Sequence, residues 1–185
     1  MSYDNIPTSE LEIFKSLPDI GVVIDVGARD DVDYIRLKPD IELHAFEPNP
    51  EFFATLKGLI GDRPNTYLNN YGLGDIEGEF QYNEATQSFS GGEAEDLKKG
   101  KALPVKTLDW YVGKMGIERI DFLKIDAEGY DFKVLCGGHH AVKMCRFIQY
   151  EHWNNRLQFH DILEQDFYMT YIGGRNVLCS RKPGH

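Results

Sequence analysis

The sequence predicts a doubly wound α/β fold closed by an antiparallel hairpin. Three observations carry that prediction. Short apolar runs such as "GVVIDVGA" and "IDFLKID" alternate with helical stretches, as strand–helix–strand units around a parallel sheet do. Acidic residues close successive runs: Asp25, Glu47 and Asp126, at the strand ends where open α/β sheets bind ligands. The last two runs, "FYMTYIGG" and "NVLCSRK", are joined by a Gly-Gly turn, which places an antiparallel strand in the sheet.

The elements follow in order. "TSELEIFKSL" reads as a helix capped by Thr8 or Ser9, with Leu11, Phe14 and Leu17 on one face. Pro18 and Gly21 end it. "GVVIDVGA" is the first strand and "IELHAFEPNP" the second, stopped by Pro48. The helix "NPEFFATLKGLI" has Asn49 as N-cap and Pro50 at its first position. "NTYLNNYGLGD" reads as a third strand ending in a glycine turn, and "GEFQYN" as an extra edge strand. Residues 85–101 lack periodicity and are rich in Gly, Ser and charge, so they read as a mobile loop or lid containing Ser88 and Ser90. "VKTLDWYVGKMG" is a strand end and helix. "IDFLKIDAEGYDFKVLCGG" is a fourth strand, a turn and a helix; "CRFIQYEHW" is a fifth strand; "NNRLQFHDILEQD" is helical. No repeat or boundary interrupts this order. The 185 residues are expected to form one domain, with residues 1–20 carrying the N-terminal helix.

Composition narrows the function. A hydrophobic fraction of 42% and an aromatic fraction of 12% suit a globular core. A net charge of -10 supplies no general field for phosphate backbones, so no nucleic-acid partner is expected. Cys136, Cys145 and Cys179 show no CxxC spacing and fit a reduced, cytoplasmic protein. The polar start excludes an ordinary signal peptide, and no apolar run reaches the ~18 residues of a membrane span.

The stretch "VVIDVGARDDVDY" starts like a nucleotide-binding loop, but its glycines stop at Gly27. A dinucleotide needs bare backbone N–H groups for its pyrophosphate, which Asp30 and Asp31 would repel. Acids suit instead the sulfonium and ammonium of S-adenosyl-L-methionine (SAM). The alternative is a solvated turn in which Arg29, Asp30 and Asp31 pair locally. Glu47 lies 22 residues after Asp25, close to the spacing at which a second-strand acid grips a ribose.

Six blocks then carry a family resemblance: "VIDVGA", "HAFEPNPEFF", "NNYGLGD", "VKTLDWYV", "IDFLKIDAEGYDFKVLCGG" and "FIQYEH". In this order they resemble the FkbM-type methyltransferases. The block around Asp126, Glu128 and Gly129 is the most specific. The resemblance implies a Rossmann-like, SAM-dependent methyltransferase fold, with a mostly parallel seven-stranded sheet and a C-terminal antiparallel strand. It implies O-methylation of a hydroxyl on a small molecule or saccharide. It further implies Asp25, Gly27 and Ala28 against the methionine part of SAM, Glu47 against the ribose and Leu73 and Gly74 beside the adenine. Asp126 would face the sulfonium. One departure stands out: the family reads DVGAN-x-G, and here Arg29 replaces the Asn and Asp31 the second Gly.

Strand alternation puts Phe122, Lys124 and Asp126 on one face. Asp126 is the expected central acid of the reacting end, and Lys124 is expected to pair with it or with Glu128. His152, at the end of the fifth strand, is the first candidate for a general base, with Glu151 second; the alternative for His152 is a rim histidine bonded to backbone. His139, His140, Asp126, Glu151 and His152 offer metal-binding atoms, but no HxxxH or HExxH spacing appears, and no metal is expected. Trp153 follows the same rim and can line a pocket. Two rival functions remain: the same fold as a partner-binding module that has lost SAM through Arg29 and Asp31, and an NAD-dependent oxidoreductase.

Overall fold

The computed structural model describes residues 10–89, 101–153 and 155–184. Its first half contains α1 (Glu10–Ser16), β1 (Val22–Val26), α2 (Asp33–Leu37), β2 (Glu42–Phe46), α3 (Pro50–Ile60), β3 (Thr66–Asn69), β4 (Gly72–Leu73), β5 (Gly78–Asn83) and β6 (Ser88–Phe89). The second half contains β7 (Lys101–Lys106), α4 (Leu108–Met115), β8 (Ile120–Ile125), α5 (Asp131–Cys136), α6 (His139–Met144), β9 (Cys145–Glu151), α7 (Arg156–Leu163), β10 (Phe167–Gly173) and β11 (Asn176–Arg181).

Seven strands form the central sheet in the order β10-β11-β9-β8-β1-β2-β3. The five strands from β9 to β3 run parallel. β11 is antiparallel to both neighbours, β9 and β10. The expected hairpin therefore folds back into the sheet: β10 leaves one place free beside β9, and β11 fills it.

Helices cover both faces, so the central strands lack a solvent side. All six residues of β8 are buried. Ile24, Val26, Leu123 and Ile125 meet Leu108, Val134 and Phe159 on one face. Val23, Leu43 and Phe122 meet Phe14, Tyr34 and Leu56 on the other. Asn49 caps α3 as the sequence predicts: its Oδ1 accepts the Glu51 N–H at 2.9 Å, with Pro50 first in the helix.

Four features differ from the sequence reading. The predicted third strand divides at Asn70 and Tyr71. β3 stays in the main sheet, while β4 joins a second sheet of order β4-β7-β5-β6. The Asn70 Nδ2 donates to the carbonyls of Glu47 and Pro48, which ties the break to the end of β2. β5 is interior to that small sheet rather than an edge strand. Ser88–Phe89 and Lys101 are strand rather than loop; residues 90–100, like Thr8 and Ser9, lie outside the described residues. The short helices α2 and α6 were not foreseen, because one turn carries little periodicity. Among the described residues no helix is long and apolar enough to cross a membrane.

Candidate active site

A cleft of about 610 Å³, counted with its open mouth, lies outside the carboxyl ends of β1, β2 and β8. Its walls come from the turns that leave those strands and from the small sheet. Phe46, Phe52, Leu73, Tyr82 and Phe89 give an apolar slot; Glu47, Asp126, Glu128 and Arg29 give the charge.

Gly27 makes the floor possible. Its φ is +82°, and a Cβ there would sit 1.9 Å from the Asp126 carbonyl oxygen. The β1 and β8 turns thus pack backbone to backbone, and only glycine fits. The Gly27 and Ala28 N–H groups both donate to the Phe46 carbonyl at 3.0 Å, locking this turn to β2.

Glu47 joins two loops. Its Oε2 accepts the Arg29 N–H at 2.9 Å and its Oε1 the Asn49 N–H at 2.7 Å. Burial pushes its pKa up, against the pull of those two N–H donors. A carboxylate has about four lone-pair sites, so both oxygens keep capacity toward the cleft. Arg29 holds its position with φ +52°, a left-handed conformation that asparagine adopts more readily. Its guanidinium lies 5.0 Å from the centre of the Phe52 ring. Asp31 acts within its own turn, where its Oδ1 accepts the Asp33 N–H at 2.7 Å at the start of α2. The opening loop thus divides, with Arg29 on the cleft and Asp31 in a turn.

Asp25 does not line the cleft. It is 2% exposed and points to the α1 face, where Lys124 Nζ lies 3.4 Å from its Oδ1 and 3.4 Å from Asp126 Oδ2. Burial works against the Lys124 charge, but Asp25, Tyr34, Asp126 and Glu10 outweigh it and keep the ammonium protonated. Burial also pushes Asp25 up, which is compatible because the cluster holds more carboxylates than ammonium groups.

Asp131 is a residue the sequence reading missed. Its carboxylate accepts the Gly129 N–H at 3.0 Å and the Ala127 N–H at 3.4 Å. It thereby fixes the turn that presents Asp126 and Glu128, with Glu128 at φ +50° and Gly129 at φ +90°. Burial pushes its carboxyl up to about 7, against those donors. The signal was present as the aspartate two residues past Gly129. Phe52, Tyr82, Gln87 and Phe89 were also missed as cleft residues.

The remaining sequence candidates take these places. Leu73 lines the cleft beside Gly72; Gly74 packs behind it against Tyr130 and Val105. Ala28 is buried in the core under α1. Glu151 and His152 lie on the neighbouring rim, outside the cleft wall. Glu151 Oε1 is 2.8 Å from Arg175 Nε, and Arg175 stacks 3.6 Å over Trp153. His152 donates its backbone N–H to Arg175, while its ring Nδ1 is buried without a hydrogen-bond partner. Trp153 rests against Gly129, so rim and cleft meet at that turn. His139 and His140 open α6 at the surface.

Comparisons with known proteins identify the family and the fold. A family model described as the methyltransferase FkbM domain matches residues 25–173. The 2-O-methyltransferase NoeI of Sinorhizobium fredii is 24% identical over 181 residues, covering 82% of this chain and 73% of NoeI. The hexuronic acid methyltransferase AglP of Haloferax volcanii is 25% identical over 130 residues, covering 69% of this chain and 54% of AglP. In fold, the chain is similar to the crystal structure of methyltransferase FkbM from Methylobacillus flagellatus. The TM-score is 0.62 at 16% identity, over 90% of this chain and 47% of that one. The chain thus spans about half the length of AglP and of that structure. The family match covers most of the chain and begins at the strand that feeds the cleft: the protein belongs to the FkbM methyltransferase domain family.

Proposed function

We propose that the chain, as a single domain, is a SAM-dependent O-methyltransferase acting on a hydroxyl of a saccharide or similar small acceptor. One observation carries the reading. A single cleft joins an apolar slot, the ribose-type acid Glu47 and the acids Asp126 and Glu128. The residues present fit the cofactor. Phe46, Leu73 and Phe89 suit a purine, the free lone pairs of Glu47 suit a ribose diol, and Asp126 and Glu128 suit a cation. They do not fit a dinucleotide, since three carboxylates would face its pyrophosphate and, among the described residues that line the cleft, only Arg29 would oppose them.

Bound SAM would supply a methyl group activated by its sulfonium, with the neutral thioether SAH as the leaving group. The protein then needs to align the acceptor oxygen and give its proton a destination. Asp126 is the carboxylate in the cleft suited to take that proton. Glu151 is held by Arg175, which leaves His152 as the second candidate, across the Gly129 turn. The names of NoeI and AglP, a 2-O-methyltransferase and a hexuronic acid methyltransferase, support a saccharide-type hydroxyl as acceptor.

The test is calorimetric titration of the full chain with S-adenosylhomocysteine (SAH), SAM and NAD, repeated on Glu47→Ala. Micromolar binding of both adenosyl ligands, lost in the variant and absent for NAD, is the expected result. NAD binding alone would overturn the proposal in favour of an oxidoreductase. Binding of none would favour a partner-binding module.

A further inference from the structure

We infer that Lys124 is a positioning residue of the cleft: its buried ammonium, 3.4 Å from both Asp25 Oδ1 and Asp126 Oδ2, anchors the Asp126 carboxylate at the reacting end. The inference rests on the function proposed above.

The topology builds this bridge. Lys124 and Asp126 stand two residues apart, on one face of β8 and its extension. Asp25 on β1 is the register partner of Lys124 on one side, and Gln149 on β9 on the other. The ammonium therefore sits between a fully buried carboxylate and one whose side chain is 42% exposed on the cleft. Burying a lysine between acids is a poor way to add stability, because desolvation offsets much of the attraction.

A second acid shows what a structural carboxylate looks like in this protein. Asp121, at the other end of β8, accepts the N–H groups of Gly21 and Val22 and pairs with Arg119 and Arg146. Asp25 has no such set: its Oδ1 is buried without a hydrogen-bond partner and has Lys124 at 3.4 Å instead. Its geometry is that of a counter-charge that pins the lysine. The lysine in turn faces the cleft through Asp126.

The groups around Lys124 all lean the same way. Asp25 comes from β1, Tyr34 from α2 and Glu10 from α1, with Asp126 on its own strand. On the β9 side Gln149 hydrogen-bonds Glu10, and Glu151 lies near it. Lys124 is the cation among these groups, so its removal takes away the buried anchor of the Asp126 carboxylate, with Arg29 left as the cation on the cleft side. An unanchored carboxylate is free to turn away from the reacting end. Turned away, it neither attracts a sulfonium nor accepts the acceptor's proton.

The experiment compares SAM, which is cationic at sulfur, with SAH, which is not. Affinities of both for the full chain are measured by calorimetry at neutral pH, for the native protein, D25N and D25N/K124M. The double variant removes an acid and a base together, so no buried charge is stranded. D25N/K124Q, which keeps a donor but no charge, serves if the methionine variant does not fold. We expect the preference for SAM over SAH to fall about three-fold or more in either double variant, with D25N, which keeps the ammonium, nearer the native protein. An unchanged preference in folded double-variant protein would reduce Lys124 to a structural role and overturn the inference alone. Native protein that binds neither ligand would overturn the proposed function, and this inference with it.

Discussion

The two faces of the central sheet solve the same packing problem with different materials. On the face covered by α4 to α7, the residues that β1 and β8 give to the core are apolar, among them Ile24 and Val26, Leu123 and Ile125. On the face covered by α1 to α3, the inward series begins apolar at Val23 and Phe122 and turns polar toward the carboxyl ends, at Asp25, Lys124 and Asp126. The first face holds the domain together. The second gives up apolar contact just where the strands deliver side chains to the cleft. The same backbone alternation serves both, so one sheet carries core and chemistry back to back.

Substitutions can break this contrast. The largest effect is expected on the polar face. Lys124→Met strands Asp25 in the interior and should lower stability by about 3–5 kcal/mol, most of it recovered in D25N/K124M. Denaturant unfolding of both variants reads this directly; equal losses would mean that the charges do not compensate one another. On the apolar face, Leu123→Ala removes a fully buried side chain and should lower stability by about 2–4 kcal/mol. Its SAH affinity, measured well below the melting temperature, should stay native. A large loss of binding would contradict the division of labour between the faces.

Glu47 tests the cleft itself. Glu47→Gln keeps the shape but weakens charge-assisted bonds to Arg29 and Asn49, worth about 1.5–3 kcal/mol for bonds to a charged group. SAH affinity should fall at least about ten-fold, and an unchanged dissociation constant would place the ribose elsewhere.

Asp131 gives a pH signature. Its carboxyl titrates at about 7 in the folded chain, above the range of a free aspartate. The folded state therefore binds its proton more tightly than the unfolded state does. Its contribution is full at pH below the free-aspartate value and is lost as pH rises through about 7. Asp131→Asn should flatten that part of the stability profile; a slope identical to the native one would assign it to other acids.

The smallest effect is expected at Arg29. Arg29→Asn places a residue tolerant of φ +52° in the loop and should raise stability by up to about 1 kcal/mol. A lower melting temperature would show that stacking on Phe52 outweighs the backbone strain.

Much of this architecture is written locally. Alternation along "FLKID" sets which side chains share a face, the Asn49-Pro50 pair starts α3, and the Gly-Gly turn makes the final hairpin. Those features depend on a few adjacent residues, so a one-dimensional reading finds them. Glu47 and Asp126 are legible for the same reason: they stand where strands end.

Only the tertiary structure decided the rest. Asp25 ends up under α1 rather than in the cleft, because its position in β1 aims it at Lys124. Leu73 reaches the cleft through a second sheet, which depends on pairing between β4 and β7 across more than thirty residues of chain. Tyr82 and Phe89 enter from that same sheet, and Asp131 matters through backbone N–H groups that sequence does not display. Strand ends and turn residues are local chemistry. Which strands pair, and which side chains meet across them, is settled by long-range packing, and no short window of the sequence contains it.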